Sequence, residues 1–170
     1  MDTLESAQNK ELILLSVLKG GGNYWEKIEG FLAQFNNIDS TLAHHTSEMN
    51  EHFPTTHRIE NGMYTRQVFM PKGSLVASFI HKQNHPSFFL SGEMSILNEK
   101  GIIESLKAPL SLNTLIGTQR IAYMHTDCVW VCVYRTDKES IQEAEKEVYT
   151  LDYRTLPKEI LLNKNEICQE

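Results

Sequence analysis

The sequence predicts a mainly β domain, a small sandwich or barrel of short strands held between helical arms. Two observations lead there. Apolar residues recur at helical spacing over the first fifty residues, switch to strand-like alternation from residue 63, and return to helical spacing after Thr136. Within the middle stretch, turn signals separate eight segments of strand length at intervals of about ten residues, the pattern of all-β sandwiches and barrels.

Composition fits one soluble domain. The 170 residues are 41% hydrophobic and 22% charged, enough to bury about 70% of the unfolded surface around one core. No apolar run reaches the roughly 18 residues of a membrane span. Residues 12–15 are apolar but follow Glu5, Lys10 and Glu11, so neither a membrane segment nor an export signal is expected. Cys128 and Cys132 fall on one expected strand, roughly 13 Å apart and beyond disulfide reach, and Cys168 lies in a polar tail. A reducing, cytoplasmic compartment follows. The net charge of −6 divides into −5 over residues 1–62, +3 over 63–135 and −4 over 136–170. A positive centre between acidic arms suits either arms packed on the core or an anionic ligand within it. No Lys/Arg cluster interleaved with aromatics is present, which argues against nucleic acid.

Three regions follow. Residues 1–52 form a helical N-terminal arm: Leu4, Leu12, Leu15 and Leu18 recur at near-helical spacing, and Gly20-Gly21-Gly22 ends the segment. Asn23 and Glu26 have capping-box spacing, followed by an apolar face of Ile28, Phe31, Leu32 and Phe35. Asp39-Ser40-Thr41 could cap a third helix. Residues 53–136 form the β-barrel, with strands expected at 63–69, 74–81, 86–91, 93–98, 102–107, 113–115, 118–125 and 128–135. Residues 137–170 form a C-terminal helix and tail, with Asp137 as cap, Ile141, Ala144 and Val148 facing inward, and a short helix after Pro157.

Chemistry-bearing residues gather between Gly73 and Gly92. His81 and His85 stand four residues apart, Gly92 follows His85 by seven, and farther on Arg120 follows Gly117 by three. This arrangement resembles the two motifs of the cupin superfamily: a glycine-anchored pair of histidines with a glutamate, and a later histidine after a proline and a glycine. On that resemblance Phe79 takes the place of the first histidine, His81 the second, His85 the glutamate, Leu115 the proline and Arg120 the later histidine. A guanidinium stays protonated and offers a metal no lone pair, so the four-ligand site is reduced to two imidazoles. The resemblance implies a cupin-like double-stranded β-helix, or jelly roll, with Gly92 in a tight turn between two antiparallel strands.

A narrower resemblance is to uncharacterised cupin-like proteins of tailed bacteriophages and some bacteria. It is carried by Tyr64 and Arg66, Met70-Pro71-Lys72-Gly73, Ile80-His81-Lys82 with His85, Ala108-Pro109, Gly117-Thr118-Gln119-Arg120, Asp127 with Trp130, and Thr136 before Glu139 and Glu143. Gln119 and Tyr134 depart from it, standing where that group has lysine and histidine. It spans residues 57–147, about half of the chain.

Three functions are expected from these readings. The first is a non-catalytic domain of phage origin, acting as an oligomerising scaffold or virion-associated binding protein. The second is a small-molecule or anion-binding cupin whose pocket is lined by His81, His85, Arg66 and Arg120. The third is a metal-dependent isomerase or dioxygenase with a reduced His81/His85 site. No cofactor is expected; a divalent transition metal would need a third ligand such as His125 or Tyr134. Arg66 and Arg120 could instead pair with Glu93 or Glu104, or face solvent. His44, His45 and His52 read as surface helix residues. No Ser-His-Asp arrangement, phosphate loop or dinucleotide fingerprint is present. Trp130, Cys132 and Tyr134 share a parity and are expected on the outer sheet face, packing the arms. Tyr24, Trp25, Ile28, Phe31, Leu32 and Phe35 supply more apolar surface than two short helices need. A homo-oligomer, or a larger assembly through the N-terminal helices, is the expected partner.

Overall fold

The computed structural model describes residues 22–35, 43–45, 53–98 and 102–167; the helix expected before Gly20 lies outside them. Helix α1 spans Tyr24–Phe35. Strands follow at β1 (Ala43–His45), β2 (Thr55–Glu60), β3 (Met63–Met70), β4 (Leu75–Ala77), β5 (Ile80–His81), β6 (His85–Ser91), β7 (Glu93–Leu97), β8 (Ile103–Lys107), β9 (Leu110–Thr114), β10 (Ile121–Met124) and β11 (Cys128–Arg135). Helix α2 (Ile141–Val148), strand β12 (Tyr149–Thr150), a 3-10 turn (Tyr153–Thr155) and helix α3 (Lys158–Ile167) complete the described chain.

The strands form two five-stranded sheets, ordered β1-β4-β10-β7-β8 and β2-β3-β11-β6-β9, with a separate β5–β12 pair. Among the eight central strands, every connection passes from one sheet to the other except the β7–β8 hairpin. That alternation, with β3-β11-β6-β9 facing β4-β10-β7-β8, is jelly-roll topology. Gly92 therefore does not sit in a hairpin. It is where the chain crosses from β6 into β7 in the opposite sheet. With φ at 101°, a side chain there would bring its Cβ to 2.4 Å from the Asp127 carbonyl oxygen and 2.6 Å from Cys128 Sγ. Only glycine fits both demands.

Two cores result. One fills the space between the sheets and includes Tyr64, Val68, Met70, Phe89, Met94, Trp130 and Tyr134, closed by Ala144 and Val148 of α2. The other lies on the outer face of the first sheet, where Tyr24, Trp25, Ile28 and Phe31 of α1 meet Leu75, Ala77, Leu97, Ile121 and Tyr123. That sheet is covered on both faces, so β4 and β10 are buried along their whole length.

The capping box forms as expected: the Asn23 N–H donates to Glu26 Oε2 (2.8 Å) and the Glu26 N–H to Asn23 Oδ1 (3.0 Å). At α2 the cap is Ser140, not Asp137; its Oγ accepts from the Glu143 N–H (3.3 Å), and Asp137 instead pairs with Lys138. The expected strand over 74–81 breaks at Ser78–Phe79, the one over 118–125 begins only at Ile121, and the one at 113–115 runs Leu110–Thr114. β1 replaces a helix after Asp39-Ser40-Thr41, and places His44 and His45 on a strand paired in parallel with β4. His52 lies outside the described residues. Among the described residues no helix is long and apolar enough to cross a membrane.

Candidate functional site at the polar end of the barrel

Alternate residues of each central strand face the space between the sheets, and they change character along the barrel. The inward residues run Met70, Val68, Arg66, Tyr64 on β3; Cys128, Trp130, Cys132, Tyr134 on β11; and Phe89, Ser87, His85 on β6. β10 contributes Met124 and Ala122, and the loop before it Arg120. One end is an apolar floor and the other a polar rim. Between them lies a cavity of about 80 Å³, lined by Val68, Met70, Val76, Met94, Ile96, Ala122 and Trp130 towards the floor. Arg66, Ser78, Phe79, His81, Arg120, Cys132 and Tyr149 complete its wall.

The structure brings together all four expected site residues. His81, Arg66 and Arg120 line the cavity, and the His85 ring lies tilted against His81 with ring centroids 4.7 Å apart. The Arg120 guanidinium stands 5.8 Å over the Trp130 ring and donates to Thr114 Oγ1 at 3.2 Å. Neither suggested acid reaches it: Glu93 pairs with Lys107, and Glu104 accepts from Asn98. Among the described residues no carboxylate pairs with Arg120, and none lines the cavity. Arg66 is buried, at 8% exposure. Burial lowers the pKa of His57 beside it; Glu145 opposes that shift, and the Arg66 charge adds a smaller lowering.

The histidines are held by their Nδ1 atoms. His81 Nδ1 lies 2.8 Å from the Tyr134 hydroxyl, and burial holds that phenol protonated by pushing its pKa well above the usual value. His85 Nδ1 donates to the Gln83 carbonyl at 3.1 Å. Its Nε2 is buried with no hydrogen-bond partner among the described residues. Burial, with a smaller contribution from Arg120, lowers the His85 pKa to about 4, so the ring is neutral near pH 7.

Two imidazoles are a sparse donor set for a transition metal: their Nδ1 atoms are engaged, so a metal would have to be met through Nε2, and Arg120 brings a positive charge to the same cavity. Tyr134 is used by His81. His125 sits at the far end of β10, with its N–H on the Glu93 carbonyl and its Nε2 2.7 Å from Ser95 Oγ. No cluster of three metal-ligating side chains occurs among the described residues.

One orientation differs from expectation. Trp130, Cys132 and Tyr134 face the barrel interior, where Trp130 and Cys132 line the cavity and Tyr134 stacks with Tyr64, His81 and His85. Strand parity had grouped them correctly but on the wrong side. Phe79, set by the resemblance in the place of the first histidine, lines the cavity, and Tyr149 is a lining residue that no motif marks.

No family model matches the chain, and no curated protein matches it. Solved structures to which it is similar include a conserved protein with a double-stranded β-helix domain from Klebsiella pneumoniae, at 19% identity over 54% of this chain and 83% of that one, TM-score 0.44. Another is a cupin 2 domain-containing protein from Halorhodospira halophila, at 10% identity over 52% and 67%, TM-score 0.44. A third is an acetylacetone dioxygenase from Acinetobacter johnsonii, at 14% identity over 49% and 59%, TM-score 0.40.

Proposed function

We propose that this domain binds a small organic anion, a carboxylate or phosphate, at the polar rim of its barrel, and does so without a metal. The observation that carries the reading is Arg120: a guanidinium at an apolar cavity, lying over Trp130, with no carboxylate partner among the described residues. A charge in such surroundings is costly unless an opposite one meets it. A planar guanidinium meets a carboxylate or phosphate through two parallel hydrogen bonds. The neutral His85 ring nearby and the Met, Val and Ile floor give the rest of the ligand an uncharged, largely apolar surface.

Thermal shift against a panel of small carboxylates and phosphates tests this. Stabilisation should weaken with salt. Arg120→Ala should lower affinity at least about tenfold, because a hydrogen bond to a charged group contributes about 1.5 kcal/mol or more. A flat response across the panel would remove the reading.

Self-association is a second reading, favoured by the outer face of the β2-β3-β11-β6-β9 sheet. Met63, Phe69, Val129, Val131, Val133, Phe88 and Leu90 point outward there and belong to neither core. Phe88 and Leu90 are 37% and 51% exposed. The edge strands contribute Thr56, Arg58 and Glu60 on one side and Ser111 and Asn113 on the other. Thr65 and Gln67 on β3 and Arg135 on β11 interrupt this face, which is otherwise apolar along β11 and β6 between polar edge strands; such a mixture is the anatomy of a protein interface, and a second copy of this chain is the occupant proposed.

A further inference from the structure

The ladder between β4 and β10 ends at Ala77, and from Ile80 the chain pairs with β12 instead. Ser78 and Phe79 span the gap. Ser78 is fixed there, its N–H donating to the Arg120 carbonyl and its Oγ accepting from the Arg120 N–H, both at 2.8 Å. The barrel wall is filled at this point by two rings: Phe79 stacks on Tyr149 at 5.1 Å. Both rings line the inner cavity, and both also line an open outer cleft of about 330 Å³. The far side of that cleft is Gln142, Glu145 and Lys146 of α2 with Leu151.

We propose that Phe79 is a gate between two chambers of one binding site, and that the ligand is an anion carrying an apolar chain long enough to span both. The head pairs with Arg120 in the inner chamber; the chain passes between Phe79 and Tyr149 into the outer cleft. This rests on the reading that Arg120 binds an anion. The inner chamber, at about 80 Å³, takes little beyond the head, since pockets that enclose a drug-sized ligand begin at roughly 300 Å³. The outer cleft supplies the missing space. Phe79 is the movable leaf, because its side chain is only half-buried and turns about its own bonds while the backbone beside it is held, whereas Tyr149 is buried and paired across to His81. Leu151 and the aliphatic stem of Lys146 give the outer end of the chain apolar surface to cover.

Isothermal titration with straight-chain carboxylates from acetate to octanoate decides it, using the intact protein, Phe79→Ala, Phe79→Leu, Phe79→Trp and Arg120→Ala. Phe79→Ala should raise the ratio of octanoate to acetate affinity about tenfold, the worth of one to two methylenes freed from obstruction. Phe79→Leu should fall between, and Phe79→Trp should cut off longer chains. Arg120→Ala should weaken every member of the series. Identical chain-length profiles in the intact protein and Phe79→Ala, with short carboxylates still bound through Arg120, would overturn the gate and leave the anion site standing. No binding of any carboxylate by the intact protein would overturn both.

Discussion

His85 opens β6 with its ring buried at 2% exposure and its Nε2 lone pair unmatched. In the unfolded chain its imidazole titrates near 6.5; in the fold, burial brings this down to about 4. Between those values the unfolded chain takes up a proton that the folded one refuses. Stability therefore falls as pH drops from about 6.5 towards 4, with little further loss from this group below that. The whole effect is at most about 3 kcal/mol. Urea unfolding of the intact protein and His85→Leu across this range should show their stability difference shrinking by that order towards pH 4. A difference independent of pH would mean that His85 is not held neutral by burial. Three of the four site residues were picked out through the resemblance to the two cupin motifs, His81 and His85 by their place before Gly92 and Arg120 by its place after Gly117, and Arg66 through the Tyr64-x-Arg66 pattern of the narrower resemblance. The inward turn of Trp130, Cys132 and Tyr134 was not. Both faces of β11 are apolar, Val129, Val131 and Val133 on one and Trp130 and Cys132 on the other, so alternation sorts the residues into two sets without naming the buried one.

Helix α1 owes its position to aromatic residues more than to its own helical propensity. Trp25 is 1% exposed, stacks on Tyr153 with centroids 5.1 Å apart, and donates from Nε1 to the Gly117 carbonyl at 3.2 Å. Tyr24 donates to the Gln119 carbonyl on the same loop. The loop that ends in Arg120 is thus pinned from outside the barrel. Trp25→Ala should cost about 3–5 kcal/mol in chemical denaturation, and Trp25→Phe, which keeps most of the packing, about 1 kcal/mol for the lost hydrogen bond. If Trp25→Ala were nearly neutral, α1 would not be integral to the fold. Tyr24, Trp25, Ile28 and Phe31 are buried against the chain's own sheet. At this scale the helix and its capping box were readable from local pattern. The break of residues 74–81 into β4 and β5 was not, because a single Ser78 between two short apolar runs carries no turn signal. The break arises from a change of partner, β10 to β12, separated by tens of residues in sequence.

On the scale of the whole molecule the two sheets are treated unequally. The first carries α1 and α3 on its outer face, while no described element of either core covers the outer face of the second. Five strands at about 4.8 Å spacing and some seven residues at about 3.3 Å give that face a plan area of about 550 Å². Two copies packed face to face would bury about 1,100 Å², near the lower bound for a specific interface. A two-fold axis would match this patch with itself, closing the assembly at a dimer. Light scattering at tens of micromolar should therefore give twice the 19.5 kDa chain mass. Phe88→Lys should give the chain mass with unchanged circular dichroism, since Phe88 points away from both cores. A monomeric intact protein would sink the dimer. If Phe88→Lys then also lowered the unfolding temperature of that monomer, the face would be assigned to a segment of the protein's own chain. A dimer indifferent to Phe88→Lys would move the interface elsewhere on the surface.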